Sequence, residues 1–113
     1  MTEDNKEEWS VWIASVEFSE GAGMKERPVI VLKDRIVLCT CLAVTSKQKN
    51  KRYGYKIKNT KSASLAKESW VVFGYVELEH DRFHHKIGML DKEDIIGIQR
   101  WISSYQYHPD ETE

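Results

Sequence analysis

Most of the chain consists of short segments that either alternate apolar and polar residues with a period of two or are apolar and β-branched throughout, and only its C-terminal part has the period of a helix. Alternate side chains of a β-strand share one face, so such segments pair into sheets. The pattern predicts five strands. They are Trp9 to Phe18, Val29 to Leu32, Ile36 to Val44, Tyr53 to Ile57, and Ser69 to Leu78, the last broken by a bulge at Gly74.

The segment after Asp91 has helical spacing instead. Ile95, Ile98 and Ile102 fall on one face of a helix, and Asp91 is a good N-cap for it. Short strands followed by a single helix indicate a mainly β fold with that helix at the C-terminus. We expect a small, strongly curved antiparallel sheet, or a partly open SH3-like barrel, covered by this helix.

Polar segments predict the connections between the strands. Ser19 to Glu26 contains small residues in a polar stretch and predicts a flexible loop, and Lys47 to Lys51 predicts a hairpin. His80, His84 and His85 follow the fifth strand closely and are expected in a loop.

A chain of 113 residues has room for one compact domain. We assign this domain to residues 9–104, between an acidic flexible leader over 1–8 and a polar acidic tail over 105–113. The leader has the composition of neither a signal nor a transit peptide, and no apolar run reaches membrane-spanning length. Together with two free thiols, Cys39 and Cys41, these features favour a cytoplasmic protein.

The net charge of −1 conceals an uneven distribution, because Lys47 to Lys67 contains many basic residues and no acidic ones. Such a block is typical of a polyanion-binding surface, and the other interpretation is a solvated lysine-rich loop. The residues of interest for nucleic-acid binding are Lys47, Lys49, Lys51, Arg52 and Lys56.

Several kinds of chemistry are disfavoured at once. The chain has no glycine-rich phosphate loop and no dinucleotide fingerprint, which argues against ATP- or NAD-dependent reactions. Cys39, Cys41 and the histidines at 80, 84 and 85 could in principle surround zinc, but the cysteine spacing matches no common zinc site. We therefore expect no metal and no cofactor.

Three short motifs carry a family resemblance, and they are Arg27-Pro28 entering a strand, Val44-Thr45-Ser46 ending one, and Lys86-Ile87-Gly88 before the helix. Together with the first strand and Trp70-Val71-Val72, they resemble the MazF/PemK toxins over roughly Trp9 to Ile102. The chain lacks that family's usual Glu-Gln-x-Gly pattern before Arg27, which leaves cleavage specificity open.

The resemblance implies a metal-independent endoribonuclease that cleaves single-stranded RNA. In that family the ribose 2′-hydroxyl attacks the adjacent phosphate and leaves a 2′,3′-cyclic phosphate and a 5′-hydroxyl. By the same resemblance Arg27 would bind the scissile phosphate, and Thr45 would hydrogen-bond the reacting ribose or phosphate. Ser46 and the basic residues would hold the flanking RNA, with His80 or His84 as accessory groups. A homodimer and an antitoxin partner are also implied.

Two other functions fit the same fold. A catalytically inactive relative would bind RNA or a partner protein without cleaving it. A relative of the gyrase-poisoning toxins would act on a protein, but those rely on residues of the C-terminal helix, and Ile95 to Ile102 has the pattern of core packing.

Overall fold

A computed structural model describes residues 6–17, 23–47 and 54–106. These residues form six strands, one 3₁₀ turn and one α-helix. The elements are β1 (Ser10–Glu17), β2 (Met24–Asp34), β3 (Leu38–Thr45), β4 (Tyr55–Lys56), β5 (Trp70–Glu79), the 3₁₀ turn (His80–Arg82), β6 (Phe83–Met89) and α1 (Lys92–Gln106). The predicted fold class, a mainly β protein with a C-terminal helix, is confirmed.

All six strands belong to one antiparallel sheet with the order β4-β5-β3-β2-β1-β6. The consecutive strands β1, β2 and β3 are neighbours, whereas β6 pairs with β1 rather than with β5, which precedes it. The predicted irregularity at Gly74 is present. The pairing of β3 with β5 shifts between Leu42 and Val44, and Gly74 has a φ of 113°, which costs a glycine little.

The sheet is apolar on both faces of its central strands. Ile30, Leu42 and Val71 pack on one face with Ile98 of α1, and Val29, Val31 and Cys41 pack on the other face with Ala14 and Leu78. Because successive strand residues point to opposite faces, a strand buried on both sides must be apolar throughout. This explains why β2 and β3 show continuous apolar runs rather than strict alternation.

Two predicted boundaries are wrong, one at the start of β2 and one in the turn between β2 and β3. The expected loop over Ser19 to Glu26 in fact becomes strand at Met24, because β2 stays paired with β1 as far as Glu17 opposite Met24. Ile36 and Val37, expected in the third strand, form the turn and are 95% and 71% exposed. Pairing partners outside the segment decide both boundaries, and local propensity does not.

The placement of two histidines in a loop is also wrong. His84 and His85 lie in β6, which pairs with β1 and has His85 opposite Ile13. The run His84-His85-Lys86 hides this strand in the sequence, because all three residues are exposed and none contributes an apolar signal.

The helix begins as predicted and is anchored in an unexpected way. The backbone N–H of Glu93 donates to Asp91 Oδ2 at 3.1 Å, so Asp91 caps the first turn. Asp94 is fully buried and accepts hydrogen bonds from Tyr55 Oη at 2.8 Å, from Lys58 N at 2.8 Å and from Asn59 N at 2.9 Å. One carboxylate therefore ties α1 to the segment after β4.

Gly88 occupies a position that has no room for a side chain. A Cβ there would lie 2.7 Å from the backbone oxygen of Ser62 and 2.8 Å from the carbonyl carbon of Ala63. We expect Gly88→Ala to lower the free energy of unfolding by about 1–3 kcal/mol, because backbone rather than a flexible side chain must move. Urea denaturation measures this, with exposed His85→Ala in the same strand as a control; equal stability of both variants would contradict it.

Candidate functional site

Arg27 and Thr45 come together on the sheet face opposite α1. Val29 pairs with Ala43, and the same register continued by two residues brings Arg27 opposite Thr45. Arg27 Nη1 donates to Thr45 Oγ1 at 3.5 Å, so the two side chains are in contact although 18 residues separate them in sequence. Arg27 is half-buried and Thr45 is buried, which holds both groups in place.

The hydroxyl of Thr45 accepts two hydrogen bonds. Besides the guanidinium of Arg27, the backbone N–H of Lys47 donates to Oγ1 at 3.1 Å, across the turn that follows β3. A hydroxyl has two lone pairs and one proton. With both lone pairs engaged, Thr45 can only donate, so its proton is available to an anionic or carbonyl oxygen of a ligand.

Basic side chains surround this pair. Lys25 lies two residues before Arg27 on β2 and therefore on the same face, and Lys47 lies two residues after Thr45, just beyond the end of β3. Lys56 of β4 and Thr45 of β3 both pair with Trp70 of β5, which extends the same row of residues across the sheet. We call Lys25, Arg27, Thr45, Lys47 and Lys56 the basic face.

The structure brings together only some of the residues selected from the sequence. Ser46 and Lys47 are exposed immediately after β3, beside Thr45. Lys56 forms a 3.3 Å ion pair with Glu68, and its ammonium lies 6.0 Å from the Trp70 ring centroid. Lys49, Lys51 and Arg52 lie outside the described residues.

Neither histidine selected from the sequence contacts the Arg27–Thr45 pair. His84 Nε2 lies 2.8 Å from Ser15 Oγ and 3.7 Å from Glu26 Oε2, and Glu26, adjacent to Arg27 on β2, points to the opposite face. His80 contacts Asp34, at the other end of β2 and about 23 Å from Arg27 at roughly 3.3 Å per residue.

The sequence did not indicate the roles of Lys25, a member of the basic face, and of Trp70, which lies beside it. Lys25 was placed in a loop, and its alignment with Arg27 follows only once β2 is known to begin at Met24. Trp70 was recognised as a strand former, but its position between Lys56 and Thr45 depends on the pairing of β5 with β3 and β4. The period of two at Lys25 and Arg27 was a usable signal for the first.

The two cysteines are free thiols, as expected, and both are fully buried. Burial, with the nearby carboxylate of Asp34, raises the pKa of Cys39 to about 11. Burial also raises the pKa of Cys41 to about 12. Both are protonated at neutral pH. Of the possible metal ligands in the described part of the chain, Asp34, Cys39 and His80 have donor atoms within 4.8 Å of one another.

Comparison with known proteins identifies the family. Residues 7–105 match the PemK-like, MazF-like toxins of type II toxin-antitoxin systems. No curated protein is similar enough to the chain to count as a match. Among the described residues, no helix is both long enough and apolar enough to cross a membrane. A type II system pairs a protein toxin with an antitoxin, so an antitoxin partner is implied. The chain therefore belongs to the PemK-like, MazF-like toxin family of type II toxin-antitoxin systems.

Proposed function

We propose that this toxin is a metal-independent endoribonuclease that cleaves single-stranded RNA and leaves a 2′,3′-cyclic phosphate and a 5′-hydroxyl. The observation that carries the proposal is the 3.5 Å contact between Arg27 Nη1 and Thr45 Oγ1 on a face that also presents Lys25, Lys47 and Lys56. Family membership supports the same activity.

The reaction requires little covalent chemistry from the protein, because the attacking 2′-hydroxyl belongs to the RNA. It requires a cation against the negative charge that develops on the phosphorane, and groups that hold the ribose and phosphate in line. The guanidinium of Arg27 can donate two parallel hydrogen bonds to phosphate oxygens. Its contact with Thr45 restricts its orientation before RNA binds.

Thr45 contributes a donor rather than a base. Because its lone pairs accept from Arg27 and from Lys47 N, its proton is directed to a phosphate or ribose oxygen. Lys25, Lys47 and Lys56 hold the phosphates that flank the cut. Their contribution to RNA affinity falls as the salt concentration rises, because the release of counterions from the RNA is then less favourable. The proposal includes a homodimer as the active form, which sedimentation at working concentration tests.

The decisive experiment incubates purified protein with a long single-stranded RNA and an excess of chelator, followed by mapping of the new 5′ ends. We expect discrete cuts whose upstream fragments end in a cyclic phosphate and whose downstream fragments require phosphorylation before ligation. Intact RNA that is nevertheless retained in a salt-sensitive complex would instead indicate an RNA-binding protein without catalysis. Cleavage abolished by the chelator would contradict the mechanism.

His84 offers a separate test of the site's location. Since its imidazole contacts Ser15 and Glu26 rather than the basic face, we expect His84→Gln to retain cleavage within about twofold of the unmodified protein, because proton transfer at the phosphate does not pass through it. Initial rates of RNA cleavage measure this. If the folded variant instead cleaves RNA a hundredfold or more slowly, the catalytic site lies at the edge of the sheet formed by β1 and β6.

A further inference from the structure

A second polar cluster lies at the opposite end of β2 from Arg27. Asp34 ends β2, Cys39 lies near the start of β3, and His80 follows β5 in the 3₁₀ turn. Cys39 Sγ is 3.3 Å from Asp34 Oδ1 and 3.8 Å from His80 Nδ1, and the three donor atoms lie within 4.8 Å of one another. The proposed nuclease function uses none of these residues.

These separations fit tetrahedral zinc. Zinc bonds of about 2.3 Å to sulfur and about 2.0–2.2 Å to nitrogen and oxygen, at tetrahedral angles, place the sulfur roughly 3.5–3.7 Å from the other ligand atoms. The Sγ–Oδ1 distance of 3.3 Å is slightly shorter than this and the Sγ–Nδ1 distance of 3.8 Å is slightly longer, so small side-chain adjustments bring both to zinc-bonding separations. One thiolate, one carboxylate and one imidazole also form a ligand set that zinc accepts.

The outer contacts of a metal site are already in place. His80 Nε2 lies 2.8 Å from the backbone oxygen of Arg35 and 3.6 Å from Asp34 Oδ1, so the proton on Nε2 is donated to that carbonyl and the lone pair is on Nδ1, where Lys6 or a metal can bind. Asp34 Oδ2 accepts the backbone N–H of Lys6 at 2.7 Å, which leaves Oδ1 directed at Cys39. Ligating imidazoles and carboxylates are usually oriented in this way.

The cluster already contacts a cation. The ammonium of Lys6 lies 3.1 Å from His80 Nδ1, and it lies 5.3 Å from the Trp12 ring centroid and 4.8 Å from that of Phe83. Lys6 is 7% exposed, so this ammonium is largely withdrawn from water. The Nδ1 lone pair of His80, which would bind a metal, therefore accepts a hydrogen bond from the ammonium of Lys6, and the flexible lysine side chain can move away.

We propose that Asp34, Cys39 and His80 Nδ1 bind a zinc ion in exchange for the ammonium of Lys6. Zinc displaces the proton of Cys39, and the thiolate and the carboxylate of Asp34 together balance its two positive charges. The released Lys6 side chain moves to solvent while its backbone N–H keeps Asp34 Oδ2. Asp34 and His80 have side chains that are 16% and 31% exposed, which provides the path of entry.

Cobalt(II) is the probe for this site, because a cobalt–thiolate bond gives a charge-transfer band in the near ultraviolet and tetrahedral cobalt absorbs strongly in the visible. We expect one equivalent of cobalt to produce both signals in the full-length reduced protein, and zinc to abolish them. The matched pair is Cys39→Ala, which removes the thiolate band, and Cys41→Ala, which retains it because Cys41 Sγ is directed at the backbone oxygen of Cys39 and is not one of the three clustered donor atoms.

Lys6→Met gives the sharper result. Removing the competing ammonium is expected to tighten zinc binding by at least tenfold in a competition titration against a chromophoric chelator, while His80→Gln weakens it by at least tenfold. Methionine keeps most of the apolar length of Lys6, and the side chain of His80 is 31% exposed, so these variants remain informative if Cys39→Ala does not fold. A missing thiolate band, a band that survives in folded Cys39→Ala, or unchanged zinc affinity in Lys6→Met would each overturn the proposal.

Discussion

Arg27→Ala is expected to slow RNA cleavage by about 10²–10³-fold, the effect of removing one preorganised donor to a developing oxyanion. The guanidinium approaches Thr45 Oγ1 at 3.5 Å and lies half-buried on the basic face, and alanine removes this positioned cation. Single-turnover rates with saturating protein measure the chemical step separately from RNA binding.

The matched control is Lys25→Ala, which removes a positive charge from the same strand and the same face. Lys25 is exposed and two residues from Arg27, so we expect a loss of RNA affinity that shrinks at high salt and a nearly unchanged single-turnover rate. Arg27→Lys should restore only part of the rate, since a lysine cannot donate two parallel hydrogen bonds. If Lys25→Ala and Arg27→Ala lower the single-turnover rate equally, Arg27 contributes only a positive charge and makes no specific contact in the transition state.

Asp94→Ala is expected to cause the largest loss of stability, about 3 kcal/mol or more. The carboxylate is fully buried and accepts hydrogen bonds from Tyr55 Oη, Lys58 N and Asn59 N. Alanine would leave three donors without this acceptor, and each unsatisfied buried donor costs about 1–3 kcal/mol. In a domain of this size the melting temperature should fall by roughly 10 °C or more.

Two variants isolate the contribution of that carboxylate. Tyr55→Phe removes one of the three hydrogen bonds and should cost about 1 kcal/mol. Glu93→Ala, one residue away on the exposed side of α1, loses only an exposed ion pair with Lys58 and should change stability by less than about 0.5 kcal/mol. If urea denaturation shows the same free energy of unfolding for Asp94→Ala and Glu93→Ala, the carboxylate of Asp94 does not anchor the helix.

Two charged positions of opposite sign lie at opposite ends of β2. At one end the guanidinium of Arg27 is the cation that we propose to bind phosphate, and at the other end the carboxylate of Asp34 is the anion, which accepts the backbone N–H of Lys6. Because about 23 Å of strand separates them at roughly 3.3 Å per residue, variants of one position should not change the direct contacts of the other.

The amino-acid sequence by itself determined the fold class, the C-terminal helix and the two residues at the centre of the basic face. Periods of two and of 3.6 are local properties, and they indicate strands and a helix wherever one face is buried. The N-cap at Asp91 and the bulge near Gly74 also depend on neighbouring residues, so both were predictable. The family motifs selected Arg27 and Thr45 before their contact was known.

Tertiary structure alone decided which strands pair, and therefore which side chains meet. β6 was hidden because its exposed histidines and lysine carry no apolar signal, and only pairing with β1 makes this segment a strand. In the sequence, Asp94 has the position of an ordinary acidic residue in the first turn of a helix. Its anchoring role depends on the packing of the segment after β4 over it. Asp34, Cys39 and His80 are separated by as many as 46 residues, and the order of β2, β3 and β5 in the sheet brings them together. Contacts between residues far apart in sequence depend on register and sheet order, which local patterns do not encode.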